Sequence, residues 1–224
     1  MQFFKRIIGL ALLSFCTVLT HAENLDTLVQ KGAELLSEHK HLEAEAVFNE
    51  ALALAEESGD LINQGKIYNN WGILFKRRAN YEKSIEMYRK SLAVYYEVGN
   101  DTLTAQAEFN FGNALREIGA YGTALSHFEV ARETAVELAD LKLEAVVCSS
   151  LGNVNYYLNN FDLTEEYYLK ALEIYQELQQ EKSMASILHN LSQLYIETDQ
   201  LEKAEECLYR GKLIREKLGI SLIS

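Results

Sequence analysis

Residues 71–91 read WGILFKRRANYEKSIEMYRKS, and forty residues later 111–131 read FGNALREIGAYGTALSHFEVA. Both stretches open on an aromatic–glycine pair, Trp71-Gly72 and Phe111-Gly112. Both continue with an apolar residue (Phe75, Leu115), an aromatic (Tyr81, Tyr121), a small residue (Ser84, Ala124), a large ring (Tyr88, Phe128) and a second small residue (Ser91, Ala131). Around the first stretch, Ile67, Trp71, Leu74 and Phe75 stand at i, i+4, i+7 and i+8, which is one face of a helix. After Arg78-Ala79-Asn80, the residues Tyr81, Ile85, Tyr88, Leu92 and Tyr95 form one face of a second helix. The stretch therefore predicts a helical hairpin with a short turn.

The pattern extends in both directions with an unbroken period of 40, giving blocks 21–60, 61–100, 101–140, 141–180 and 181–220. Twelve residues into each block stand Gly32, Gly72, Gly112, Gly152 and Ser192; twenty-eight in stand Phe48, Tyr88, Phe128, Tyr168 and Leu208. Small residues let helix axes approach, and large rings fill the space beside them. Between blocks, Ser58-Gly59-Asp60, Gly99-Asn100-Asp101 and Ala139-Asp140 supply turns, with glycine or asparagine ending one helix and aspartate capping the next. One hairpin cannot bury its own apolar stripe, but stacked hairpins share a core.

The composition agrees. The 224 residues are 48% hydrophobic and 24% charged, with no proline and 12 glycines. This excludes disorder, collagen and a proline-rich linker, and disfavours a loop-rich all-β fold. A formal net charge of −12 argues against wrapping a nucleic-acid phosphate backbone.

These residues and columns resemble the tetratricopeptide repeat (TPR) family over all five blocks. The strongest matches are the two stretches quoted above, followed by Leu151-Gly152-Asn153-Val154 with Phe161, Tyr168 and Ala171. The resemblance implies an all-α, right-handed α-solenoid of about five helical hairpins over 23–220. The usual period is about 34, and relatives often close each repeat with a proline that is absent here. Both departures fit the long-helix subclass, similar to kinesin light chain, the mitotic-spindle adaptor family and bacterial peptide-sensing regulators. In the first block Lys31 and His41 occupy columns that are usually apolar, so this block reads as a cap or a less regular repeat.

The family also implies where a partner would bind. First helices line the concave surface of a TPR array, and their inward polar columns contact peptides. Here those columns hold Asn70, Asn110 and Asn190 at the tenth position and Asn113, Asn153 and Gln193 at the thirteenth. A carboxamide both donates and accepts, so a ladder of them can satisfy an extended peptide backbone. Long-helix relatives use such a ladder; the alternative is that the asparagines bond between neighbouring repeats. Lys76, Arg77 and Arg116, with Lys66 nearby, could receive a carboxylate, although such a pair is more often a solvated face. Lys31 and Asp26 do not complete the carboxylate clamp of chaperone-tail binders. Tyr156, with Tyr157, falls near the groove and could either line an apolar pocket or pack. The other tyrosines at helical spacing are expected in the core or on the convex face.

No catalytic constellation is expected: phosphate loops, dinucleotide turns and Gly-x-Ser-x-Gly are all missing. His39-x-His41 with Glu38 and Glu43 does not define a closed metal site, and no cofactor is expected. Cys148 and Cys207 fall in different columns that do not obviously meet, although export would permit their oxidation.

Residues 1–22 have a separate character. Lys5-Arg6, the apolar run Ile7–Leu19 and the small-x-small end Thr20-His21-Ala22 have the order of a cleaved signal peptide. An uncleaved membrane anchor is the alternative. Thirteen apolar residues fall short of a span, which takes about 20, and Phe15 before Cys16 spoils a lipobox. Cleavage would shift the net charge from −12 to −14, since it removes Lys5 and Arg6 and no acid. The expected protein is thus an exported, periplasmic or secreted, non-catalytic scaffold that binds a peptide or protein segment. A sensory protein signalling to a partner in trans is the alternative. The apolar tail, residues 221–224 with Leu218-Gly219-Ile220 before it, would either pack on the last helix or join two copies into a homodimer.

Overall fold

The computed structural model describes residues 25–219. The leader 1–22 with Cys16, and the tail 221–224, lie outside the described residues. Ten helices and no strand occur among the described residues. They are α1 (25–37), α2 (His41–Ser58), α3 (Leu61–Arg77), α4 (Tyr81–Val98), α5 (Asp101–Glu117), α6 (Tyr121–Glu137), α7 (Leu141–Tyr157), α8 (Phe161–Glu177), α9 (Glu181–Glu197) and α10 (Leu201–Lys217). The chain divides into two compact units between Asn100 and Asp101, at a block boundary. The first unit holds α1 to α4 and the second holds α5 to α10.

The hairpins are set by contact between the glycine and ring columns. A Cβ added to Gly72 would lie 2.6 Å from the Tyr88 ring, one on Gly112 would lie 2.6 Å from Phe128, and one on Gly152 would lie 2.5 Å from Tyr168. No side chain fits there, so the ring lies flush on the backbone of the facing helix. The first hairpin keeps this arrangement, with Gly32 against Phe48 at 2.3 Å, despite an exposed Lys31 and a half-buried His41. The last hairpin departs from it. Ser192 replaces the glycine and is buried, whereas Leu208 is 43% exposed, and Tyr209 and Leu213 are also open to solvent.

Helix ends recur every 20 residues, each with one residue at positive φ. Four are glycine (Gly59, Gly99, Gly119 and Gly219); the others are His39, Ala79, Ala139, Asn159, Gln179 and Asp199. Reading glycine and asparagine as the turn formers thus covers only part of the set. At Ala139 the left-handed backbone is held by paired bonds: Asp140 N–H donates to Ala135 O at 2.8 Å and Ala139 N–H to Val136 O at 3.1 Å. Asp140 then caps α7 by accepting from Leu143 N–H at 3.0 Å. A left-handed non-glycine residue costs roughly 1 kcal/mol, which these bonds and the packing of both helices offset. Asp60 and Asn80 cap α3 and α4 in the same way, accepting from Asn63 N–H and Lys83 N–H.

Within the first unit, Leu25, Phe48, Ala51, Ile67 and Leu74 pack into one core. In the second, Cys148, Tyr168, Leu172, Leu188, Leu191 and Tyr195 belong to one core.

Candidate functional site

In the second unit the carboxamide columns lie on first helices α5, α7 and α9. Asn153 accepts two hydrogen bonds on Oδ1, from the Tyr168 hydroxyl at 2.7 Å and from Asn190 Nδ2 at 3.3 Å. The second bond joins the fourth block to the fifth, which is the inter-repeat bonding left open by the sequence. Tyr168 is buried, and burial raises its phenol pKa, reinforced by Tyr156 and Tyr157 and opposed by the Asn190 amide. The hydroxyl therefore stays protonated and donates. Asn153 Nδ2 and Asn190 Oδ1 remain uncommitted among the described residues. Together they offer one donor and one acceptor, both half-buried.

One repeat earlier the same column behaves differently. Asn113 turns its Nδ2 to its own helix, donating to Phe109 O at 3.1 Å. Asn110 is half-buried. Gln193 is exposed, with Nε2 3.3 Å from His189 Nε2. Arg116 is half-buried, and its Nε is enclosed without a hydrogen-bond partner. Tyr156 is half-buried against Phe161, with ring centroids 6.1 Å apart, and Tyr157 is exposed and stacks on Tyr121 at 5.5 Å.

In the first unit, Asn70 and Lys76 are half-buried on α3. Arg77 is held structurally, its guanidinium donating to Leu36 O at the end of α1. Lys66 lies 3.9 Å from Asp26, a loose surface pair.

Cys148 and Cys207 are buried free thiols. Burial pushes the Cys148 thiol up to about 12, with Glu144 adding to it, so it is a poor nucleophile. No group of three or more His, Cys, Asp or Glu side chains that could hold a metal occurs among the described residues.

Two features escaped the sequence reading. One is the Tyr168 hydroxyl as partner of Asn153. Its signal was present, since only the fourth block combines asparagine at position thirteen with tyrosine at twenty-eight. The other is a pair of buried carboxylates on first helices, Glu108 and Glu144. Glu108 meets His127 Nδ1; Glu144 meets no such group.

The tetratricopeptide repeat sequence profile matches residues 23–97, 63–135 and 145–212. The chain belongs to the tetratricopeptide repeat family. Among curated proteins no sequence relative is found. Solved structures share the fold. BtubC (BKLC) from P. vanneervenii matches with a TM-score of 0.78 at 24% identity, over 86% of this chain and 80% of that one. A Rap protein complexed with competence and sporulation factor matches with 0.71 at 19% identity, over 84% of this chain and 53% of that one. A Podosopora anserina chain of nearly identical TPR-like repeats, named for the kinesin light chain, gives 0.70 at 14% identity over 88% and 98%. At these identities the likeness is one of fold: an all-α helical repeat of the TPR type. The chain spans about half the length of the Rap protein.

Proposed function

We propose that this TPR protein is a non-catalytic scaffold that binds an extended peptide segment along the polar columns of its first helices. The observation that carries the reading is the Tyr168–Asn153–Asn190 arrangement. The phenol and the Asn190 amide fix the Asn153 carboxamide, and its free Nδ2 sits beside the free Asn190 Oδ1. A donor next to an acceptor matches the C=O and N–H of a peptide backbone, which selects for extended chain more than for sequence. The Rap structure with competence and sporulation factor supports the reading by analogy of fold. In the second unit Arg116 would serve a peptide carboxylate, and Tyr156 an apolar side chain.

The test starts with crosslinking in intact cells to identify a partner, followed by affinity measurement with the purified pair. The double substitution Asn110→Ala and Asn153→Ala is expected to weaken binding at least ten-fold, since each lost hydrogen bond in a desolvated groove is worth about 1 kcal/mol. Unchanged affinity with intact helicity would overturn the groove reading.

We further propose that the protein is exported through its cleaved leader and works in a periplasmic or extracellular space. The order of residues 1–22 supports this. No described helix is long and apolar enough to cross a membrane. A mature N-terminus at Glu23, measured by mass, is the expected result; an intact Met1 on membranes would favour an anchor. The exposed Leu208, Tyr209 and Leu213 on α10 support a homodimer through the C-terminal end, which sedimentation at several concentrations would reveal.

A further inference from the structure

On the side of α7 away from the asparagine column lies a cavity of about 510 Å³ between α6, α7 and α8. Glu144 precedes Asn153 by nine residues, about two and a half helical turns, so the two side chains leave α7 on opposite faces. The volume lies within the range of about 300–1,000 Å³ typical of ligand sites.

Glu144 lines this cavity and is only 8% exposed. No hydrogen bond or ion pair of its carboxylate is found among the described residues, and its oxygens open onto the solvent of the cavity. A carboxylate confined in a cavity wall with no protein partner has its acceptor sites available to a cationic ligand group. Two cations of the chain also line the cavity, but both are engaged elsewhere. Arg132 donates from Nε to Glu129 at 2.9 Å, and Glu129 in turn accepts from the Tyr167 hydroxyl at 2.5 Å. Lys170 pairs with Glu173 at 3.3 Å. With those pairs closed, Glu144 and the nearby Glu166 leave the cavity with excess negative charge.

The remaining walls are apolar. Cys148 is 1% exposed and its thiol stays protonated, so it acts as a small hydrophobe there. Leu169, 45% exposed, and the Tyr167 ring form the mouth. An anionic ligand would face Glu144 directly. A metal ion would lack ligands, since no group of three candidate donors exists among the described residues. A long side chain with an aliphatic stem and a cationic head matches both the walls and the charge.

We propose that this cavity is a second docking site, independent of the asparagine groove, that receives a lysine side chain from a basic partner segment. The ammonium pairs with Glu144, and the methylenes lie against Cys148, Tyr167 and Leu169. The net charge of −12 draws such a segment to the protein.

The test uses the full chain, isotopically labelled, titrated with acetyl-Gly-Gly-Lys-Gly-Gly-amide and with the same peptide carrying norleucine for lysine. The lysine peptide is expected to shift the amides of Glu144, Cys148 and Tyr167, and the norleucine peptide to bind about ten-fold more weakly. Glu144→Gln, nearly isosteric, should weaken the lysine peptide by a similar factor. Leu169→Lys, at an exposed position, should also weaken it by placing a tethered ammonium at the mouth. Glu202→Gln, an exposed acid of α10, should leave it unchanged. Equal binding of both peptides, equal binding by Glu144→Gln, shifts confined to the asparagine columns, or no binding at all would each overturn the proposal.

Discussion

The third and fourth hairpins differ by one oxygen atom at a decisive place. In both, a glycine lies against a ring: Gly112 under Phe128 and Gly152 under Tyr168. In both, an asparagine follows that glycine. With phenylalanine opposite, Asn113 folds back onto the Phe109 carbonyl of its own helix. With tyrosine opposite, Asn153 turns to the hydroxyl and accepts from it, and then also from Asn190 of the next repeat. The shared glycine–ring contact builds the hairpin, while the phenol decides whether the groove carboxamide serves its own helix or links two repeats. Two asparagines that look equivalent in sequence are therefore of two kinds.

The most severe way to break the comparison is to destroy what the two hairpins share. Gly152→Ala places a methyl 2.5 Å from a buried ring that cannot retreat. It should cost about 1–3 kcal/mol in urea unfolding, as overpacked cores do. Gly122→Ala in α6, where an added Cβ meets nothing, should instead raise stability by up to ~1 kcal/mol through helix propensity. Equal effects at the two sites would refute the ring contact as the cause.

Tyr168→Phe makes the fourth hairpin like the third. The ring contact survives and only the hydrogen bond to Asn153 is lost, so the cost should be about 1 kcal/mol. The Asn153 side-chain amide resonances should broaden or shift, and peptide binding should fall with them. The reverse exchange, Phe128→Tyr, should draw Asn113 away from the Phe109 carbonyl, visible as a shifted side-chain amide, with less than about 1 kcal/mol of stability change.

The smallest effect near neutral pH is titration of the Tyr168 phenol. Its pKa is raised above the ordinary 10.0, mainly by burial. The unfolded chain therefore releases that proton first. The contribution is fully present below about pH 10 and is lost as pH rises through the folded value. Tyr168→Phe should flatten part of the alkaline limb of a stability–pH curve, whereas Phe128→Tyr should steepen it. Tyr95 and Cys148, each pushed up to about 12, contribute to the remaining slope together with Tyr167, Tyr195 and Cys207, which burial also raises.

Most of the architecture was legible because a 40-residue repeat states its own boundaries. The columns gave the helices, the hairpins and the pairing of Gly72, Gly112 and Gly152 with rings. Turn chemistry was less legible. Asp60 and Asp140 announce caps, but Ala79 and Ala139 give no sign of a left-handed backbone, because that conformation is imposed by two packed helices and their terminal bonds. Of the candidate site, the asparagine columns were visible as residues but not as a network. Arg77 reads as a groove cation and in fact holds the end of α1, because side-chain reach across a hairpin is not written in periodicity.

The sequence alone thus determined the class of molecule. Glycine, ring and small residue recurring every 40 positions can bury an apolar face only as stacked helical hairpins. Tertiary structure decided which polar groups are committed. Partners such as Tyr168 with Asn153, or Asn153 with Asn190, are 15 and 37 residues apart and meet only when helices pack. The same packing leaves Glu144 in the wall of an open cavity without a protein partner, because whether a carboxylate is paired depends on where neighbouring helices point their cations.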